Sequence, residues 1–219
     1  MLLGIDTCGS TGTIALAQRE DKRITVIGTA ELAAKTYAAL LVPRLQELLE
    51  TQHVGLRQIE AIVIVNGPGS FTGVRVGLSA AKGLAEALGT PVIAVSRLRM
   101  LAQKAETTYA ALDAGRGEFY FGDYTGGYNE ALVSAGELLA AAPISAVAIC
   151  EEKAAAAFPE APSVAQPTAT DALALALPRL LAGDFDDLAS LDGNYLRRSD
   201  AELFAKPKPG ALAVETRNA

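Results

Sequence analysis

The sequence predicts a mixed α/β fold, and three segments carry that prediction. Residues 2–27 alternate apolar runs with turn-rich breaks, as a meander of antiparallel hairpins does. Residues 61–95 read as apolar strand, glycine–proline turn, long helix and second apolar strand, the order that gives parallel pairing. A further strand–turn–strand unit opens near residue 108, so a hairpin heads each half of the chain.

Taken in order, the first strands are expected at 2–5, 13–18 and 24–27, parted by the turn 6–12 and the polar tip 20–23. A helix follows at 37–50, where Leu41, Leu45, Leu48 and Leu49 recur at helical spacing. Arg44, Gln46, Glu47 and Glu50 fall on its other side. Pro43 is expected in its first turns or at a kink, because proline frees the carbonyl four residues earlier. The run Ala-Ile-Val-Ile-Val at 61–65 is a buried-type strand, 66–70 a turn, 72–88 a helix closed by Gly89, and 91–95 a strand. Beyond it come a helix at 98–105, a strand at 108–112, a turn at 113–117 and a strand at 118–124. Residues 147–150 read as a strand and 170–181 as a helix, capped by Thr170 or Asp171 and stopped at Gly183, with Pro178 near its end. The restart after residue 98 suggests two lobes, 1–98 and 99–219, the second with a loosely ordered tail from about residue 205.

At 219 residues the chain has room for one large domain or two small ones. Half of it is hydrophobic and it has no tryptophan, so the core should be aliphatic. The net charge of −6 argues against a chain that grips nucleic acid alone, since phosphate contacts need a basic face. Arg97 with Arg99, and Arg197 with Arg198, are isolated pairs expected in solvent or in ion pairs. Cys8 and Cys150 have neither metal-ligand nor redox-pair spacing, which points to reduced thiols. The chain enters a strand at once and holds no apolar run of about 20 residues, so a cytoplasmic protein without membrane contact is expected.

The segment GPGSFTGVRVG at 67–77 is the most informative. Its glycines permit positive φ and close backbone approach, Ser70 or Thr72 can cap the helix, and helix starts suit anions. It lacks the lysine of a P-loop, the spacing of G-x-G-x-x-G and the frame of a nucleophile elbow. The turn Gly67, Gly69, Ser70 is therefore either structural or anion-binding.

As a signature, GPGSFTGVR-x-G resembles the TsaB family, also called YeaZ. Gly4-Ile-Asp-Thr at 4–7 with Ala15-Leu16, DAGRGEFY at 113–120 and NYLR at 194–197 resemble further family segments in the same order. The resemblance spans residues 4 to about 197. It implies an actin-like (sugar kinase/Hsp70/actin) fold of two related lobes, mixed sheets flanked by helices. It also implies a non-catalytic dimerisation or scaffold subunit for making N6-threonylcarbamoyladenosine beside the anticodon of ANN-decoding tRNAs. The implied partners are a TsaD-like catalytic subunit and a TsaE-like ATPase, with a homodimer when alone and tRNA reached only through the complex. ATP and a divalent metal would then belong to those partners, and this chain would have no cofactor of its own. Two departures stand out: Tyr37 occupies the place of a histidine common in the family, and the DAGR segment has one residue more than the tight DAR form.

Candidate sites follow from residue types. His53 is the single histidine, so no H-x-x-x-H pair or H-E-x-x-H site exists, and neither a metal nor a catalytic residue is expected. Asp6, Thr7, Ser10, Thr11 and Gly12 are expected to satisfy their own turn, with a vestigial anion or nucleotide cradle as the alternative. Gly126-Gly127 is a weak candidate for an adenosine loop. Asp113, Arg116 and Glu118 share one hairpin and are expected to face water rather than perform acid–base chemistry. The small stripe Gly73, Gly77, Ala81 and Ala85 lies on one helix face and packs either on the chain's own sheet or on another subunit. The resemblance favours the subunit contact, with Leu41 and Leu45 beside it. The alternative function is an actin-like phosphotransferase acting on a small carboxylic acid or sugar.

Overall fold

The structure is a computed structural model that describes residues 1–33 and 36–197; Arg198 and the tail expected from about residue 205 lie outside them. Strands β1 (Leu2–Asp6), β2 (Gly12–Glu20) and β3 (Arg23–Leu32) form the expected meander, and β4 (Ala61–Val65) and β5 (Val92–Val95) continue it in parallel. The resulting sheet has the order β3-β2-β1-β4-β5. Every residue of β1 and β4 is buried, which is why 2–5 and 61–65 read as continuously apolar, Asp6 being the one buried charge at the end of β1.

Helices α1 (Tyr37–Thr51) and α2 (Phe71–Leu88) pack on this sheet, α1 over β3 and β2 and α2 over β4. Ser70 caps α2 by accepting the Gly73 amide at 3.2 Å, and Gly89 ends it at φ 64°, where a side chain would be strained.

Helix α3 (Arg97–Lys104) leads to a second sheet made of β6 (Tyr109–Gly115), β7 (Glu118–Asp123), β8 (Asn129–Ser134) and β9 (Val147–Ala148). Its order is β8-β7-β6-β9. The central strand is antiparallel to its hairpin partner and parallel to the strand that follows the crossover, as in β3-β2-β1-β4. The two sheets therefore repeat one topology, although no repeat is visible in the residues. Helices α4 (Ala135–Ala141) and α5 (Glu152–Ala157) flank the second sheet.

Three elements escaped the sequence reading. Edge strand β8 is half polar, and α4 and α5 are too short for periodicity to show. The S-x-x-E box of Ser134 and Glu137 that opens α4 was a readable signal.

The division at residue 98 separates the sheets but not their packing. Helix α6 (Ala169–Ala182), expected in the second lobe, lies on the first sheet, burying Ala169, Ala172, Leu173 and Ala176 in its core. It can sit close because β1 offers Gly4: a Cβ there would stand 2.8 Å from the Ala169 carbonyl oxygen. The α6 cap is Thr168, boxed with Asp171, rather than Thr170.

The expected interface stripe is also corrected. Gly73, Gly77, Ala81 and Ala85 are all buried against the chain's own sheet. A Cβ at position 73 would stand 1.9 Å from the Thr7 carbonyl oxygen, and one at 77 would stand 2.3 Å from Thr7 Oγ1. Leu41 and Leu45 are likewise core residues, 3% and 4% exposed. The stripe's first two positions are glycine because the turn after β1 comes down onto the start of α2.

Candidate functional site

The turn after β1 and the glycine-rich turn before α2 hold each other. The Asp6 carboxylate accepts the Cys8 amide at 2.8 Å and is 1% exposed. Burial pushes its pKa up, against the pull of Arg97 and of the Cys8 amide. Thr7 Oγ1 donates to the Gly73 carbonyl at 2.6 Å, and the Ser70 amide donates to the Cys8 carbonyl at 2.9 Å. A Cβ on Gly69 would stand 2.4 Å from the Cys8 oxygen, so this glycine is needed for close approach. Gly67, at φ 108°, accepts the Arg97 amide at 2.7 Å.

The remaining turn residues divide. Ser10 is exposed and bonds Gln166, Thr11 is exposed, and Gly12 starts the β2 ladder opposite Leu32. Tyr37, the first residue of α1, donates its hydroxyl to the Gly9 carbonyl at 2.9 Å. The polar link from α1 to this turn is thus made by a phenol.

Arg97 takes the ion-paired setting of the two expected for it, and it does so buried: it is 2% exposed, at the head of α3 behind the Ser96 cap. Its guanidinium bonds Glu151 at 3.2 Å and Gln166 at 3.4 Å, tying the first sheet's edge to the second lobe. Burial opposes its charge, but Asp6 and Glu151 outweigh burial and hold it above its ordinary value. Its Nε has no hydrogen-bond partner among the described residues.

Around Arg97 lies a cleft of about 380 Å³ between the lobes, bordered by Gly9, Ser70, Asp113, Tyr120 and Glu151. Glu151 also takes the Asp113 amide at 2.7 Å, and Asp113 caps the Gly115 amide at 2.9 Å. Glu118, by contrast, pairs with Arg197 at 2.7 Å. Asp113 and Glu118 are thereby engaged separately and do not form a carboxylate pair.

The C-terminal NYLR segment closes the arrangement. The Asn194 amide donates to the Asn66 carbonyl at 2.7 Å, and Tyr195 packs on Phe71 with ring centroids 5.3 Å apart. Asn194 also bonds Glu130, whose carboxylate accepts Ser96 Oγ and the Tyr124 hydroxyl, each at 2.5 Å. Burial, then the Glu130 charge, pushes the Tyr124 phenol far up. Glu130 joins β8, α3 and the C-terminal segment, and no motif signals it. The glycine-rich turn, the DAGRGEFY hairpin and NYLR are thus neighbours in space.

The other candidates stay apart. His53 is exposed at φ 54° in the turn after α1, and among the described residues no group of three or more His, Cys, Asp or Glu could hold a metal. Gly126 and Gly127 lie exposed between β7 and β8. Burial pushes the Cys8 thiol well up and the Cys150 thiol up to about 11, and both are free. Among the described residues no helix is long and apolar enough to cross a membrane.

Comparison with known proteins agrees with this architecture. A family model described as TsaD, tRNA N6-adenosine threonylcarbamoyltransferase, matches residues 29–192. The chain is 41% identical over 126 residues to "tRNA threonylcarbamoyladenosine biosynthesis protein TsaB" of Haemophilus influenzae, covering 55% of this chain and 52% of that protein. It is 36% identical over 129 residues to the Escherichia coli protein of that name, covering 56% and 54%. The chain thus spans about half the length of the curated relatives it matches. Among solved structures, "YeaZ from Pseudomonas aeruginosa" superposes with a TM-score of 0.73 at 30% identity, covering 89% of this chain and 99% of that one. A second Pseudomonas aeruginosa structure, described as similar to peptidase YEAZ, gives 0.74 at 30% identity, covering 90% and 99%. With its signature segments packed against one another and its fold shared almost end to end, the chain belongs to the TsaB (YeaZ) family.

Proposed function

We propose that this chain is a non-catalytic pairing subunit for the formation of N6-threonylcarbamoyladenosine in ANN-decoding tRNAs. Its partner would be a TsaD-type transferase, joined by a TsaE-type ATPase, in the cytoplasm. ATP and a divalent metal would reside on those partners. The repeated sheet topology supports an actin-like ancestry for both lobes.

One observation carries the non-catalytic reading: the two polar groups at the end of β1, Asp6 and Thr7, are engaged inside the protein. Asp6 is buried on the Cys8 amide and Thr7 is bonded to Gly73, so neither is presented to a phosphate or metal in the cleft. A phosphotransferase would need that carboxylate open to its ligand, and nothing in the geometry favours that alternative.

Reconstitution tests the proposal. Unmodified tRNA, threonine, bicarbonate, ATP, a synthase that makes the threonylcarbamoyl group from them, a TsaD-type subunit and a TsaE-type ATPase should yield modified adenosine only when this chain is added. Equal yield without it, or yield from it without the TsaD-type subunit, would overturn the assignment.

Pairing is proposed through the outward sides of α1 and α2, since the small stripe is buried. There Val42 is 61% exposed, and Thr72, Gly83 and Ala87 are exposed on α2. A Cβ at Gly83 meets nothing within 4 Å, so Gly83→Glu fits the folded monomer and replaces a poor helix former. Sedimentation should show pairing weakened at least tenfold, about 1.4 kcal/mol, with an unchanged or higher melting temperature. Undiminished pairing would place the contact elsewhere.

A further inference from the structure

Away from the interlobe cleft, a groove of about 300 Å³ runs between α2 and the C-terminal segment. Phe71, Arg75 and Lys82 border it on the helix side, and Asp192, Tyr195 and Arg197 border it on the other. Two features are unusual for a protein of net charge −6. Three cationic side chains line the groove against a single carboxylate. Two of them, moreover, lack counter-ions. Arg75 lies 3.9 Å over the Phe71 ring and makes no ion pair or hydrogen bond among the described residues. Lys82 likewise makes none, and only acts at longer range on Asp187. Phe71 and Tyr195 also stay 41% and 36% exposed.

We propose that this groove is a contact site for a single-stranded segment of RNA, with phosphates at Arg75 and Lys82 and a base on the Phe71–Tyr195 rings. The chemistry favours RNA over an acidic peptide. Carboxylates would use the cations alone, whereas bases also use exposed rings and a guanidinium plane, the combination that binds unpaired strands. The chain's remote acidic charge weighs little, because exposed charges beyond about 8–10 Å are screened at physiological salt. The groove's volume is at the lower end for small-ligand sites, which suits one nucleotide unit and makes binding by the isolated chain weak. The inference rests on the tRNA reading above and adds to it a surface on this subunit that touches the RNA.

The test uses the full chain, alone and with a TsaD-type subunit, and two probes: a single-stranded oligoribonucleotide and unmodified tRNA. The double substitution Arg75→Glu/Lys82→Glu should weaken oligoribonucleotide binding about tenfold or more. It should also lower the slope of log affinity against log salt by roughly 1.4, about 0.7 for each single-strand phosphate that is no longer neutralised. Tyr195→Ala should weaken binding with little change in that slope, separating stacking from charge. Unchanged affinity and slope in both variants would overturn the proposal, as would a poly-glutamate peptide that binds the groove while RNA does not. The two readings fail separately. If the variants bind RNA normally while modification still needs the chain, the groove assignment falls alone. If modification proceeds without the chain while the variants lose RNA, the pairing-subunit reading falls alone.

Discussion

Gly77→Leu is expected to lower the melting temperature by about 10 °C rather than to weaken subunit pairing selectively. The new side chain would begin 2.3 Å from Thr7 Oγ1 and 3.1 Å from Ile64 Cδ1, so α2 must lift from the sheet. Overpacking of this kind costs about 1–3 kcal/mol. Displacing Thr7 from its 2.6 Å bond to Gly73 adds about 1 kcal/mol more. For a chain of this length each kcal/mol shifts the melting temperature by about 2–4 °C. Differential scanning calorimetry of Gly77→Leu beside Gly83→Glu decides the matter. A normal melt for Gly77→Leu with weakened pairing would restore the stripe to an interface.

Arg97→Ala should be the other costly change, with a loss of about 3–5 kcal/mol near neutral pH in chemical denaturation. It removes the cation from a buried set that includes Asp6 and leaves that carboxylate without its counter-charge. Burial already raises the Asp6 pKa, and Arg97 is the largest influence opposing that rise. Without it the folded-state pKa climbs further above the unfolded value of about 3.9. A raised carboxylate contributes stability that is present below the unfolded pKa and lost as pH rises through the folded one. The deficit of Arg97→Ala against the parent should therefore shrink toward pH 4 and widen toward pH 7. Adding Asp6→Asn keeps an acceptor for the Cys8 amide while removing the charge, and should recover part of the loss at pH 7 only. A deficit independent of pH would mean that Asp6 and Arg97 are not coupled.

Much of the first lobe was legible because its signals are local. The strand at 61–65 matches β4 residue for residue, since a strand buried on both faces admits only apolar side chains. The helix at 72–88 differs from α2 by one residue because a serine cap and a left-handed glycine mark its ends. Glycine at 69 and 73 pointed to close approach, and the approaching atoms are the Cys8 and Thr7 carbonyls. Two of the family's signature segments were legible for the same reason, since 67–77 makes a turn and a helix start and 113–120 a hairpin turn.

What the sequence could not decide was which surface each pattern meets. A small stripe on a helix reads alike whether a sheet or a subunit lies against it, and only the β1 turn pressed onto α2 assigns it to the core. Arg97 looks like any surface arginine until Glu151 and Gln166, more than fifty residues away, supply the partners that allow its burial. Helix α6 follows the second sheet in the chain yet covers the first, because the apolar face of β1 around Gly4 lies within its reach. Periodicity and caps act through neighbours in sequence and so are written there. Burial of a charge, contact across the lobes and the destination of a helix depend on long-range packing, which the folded chain alone determines.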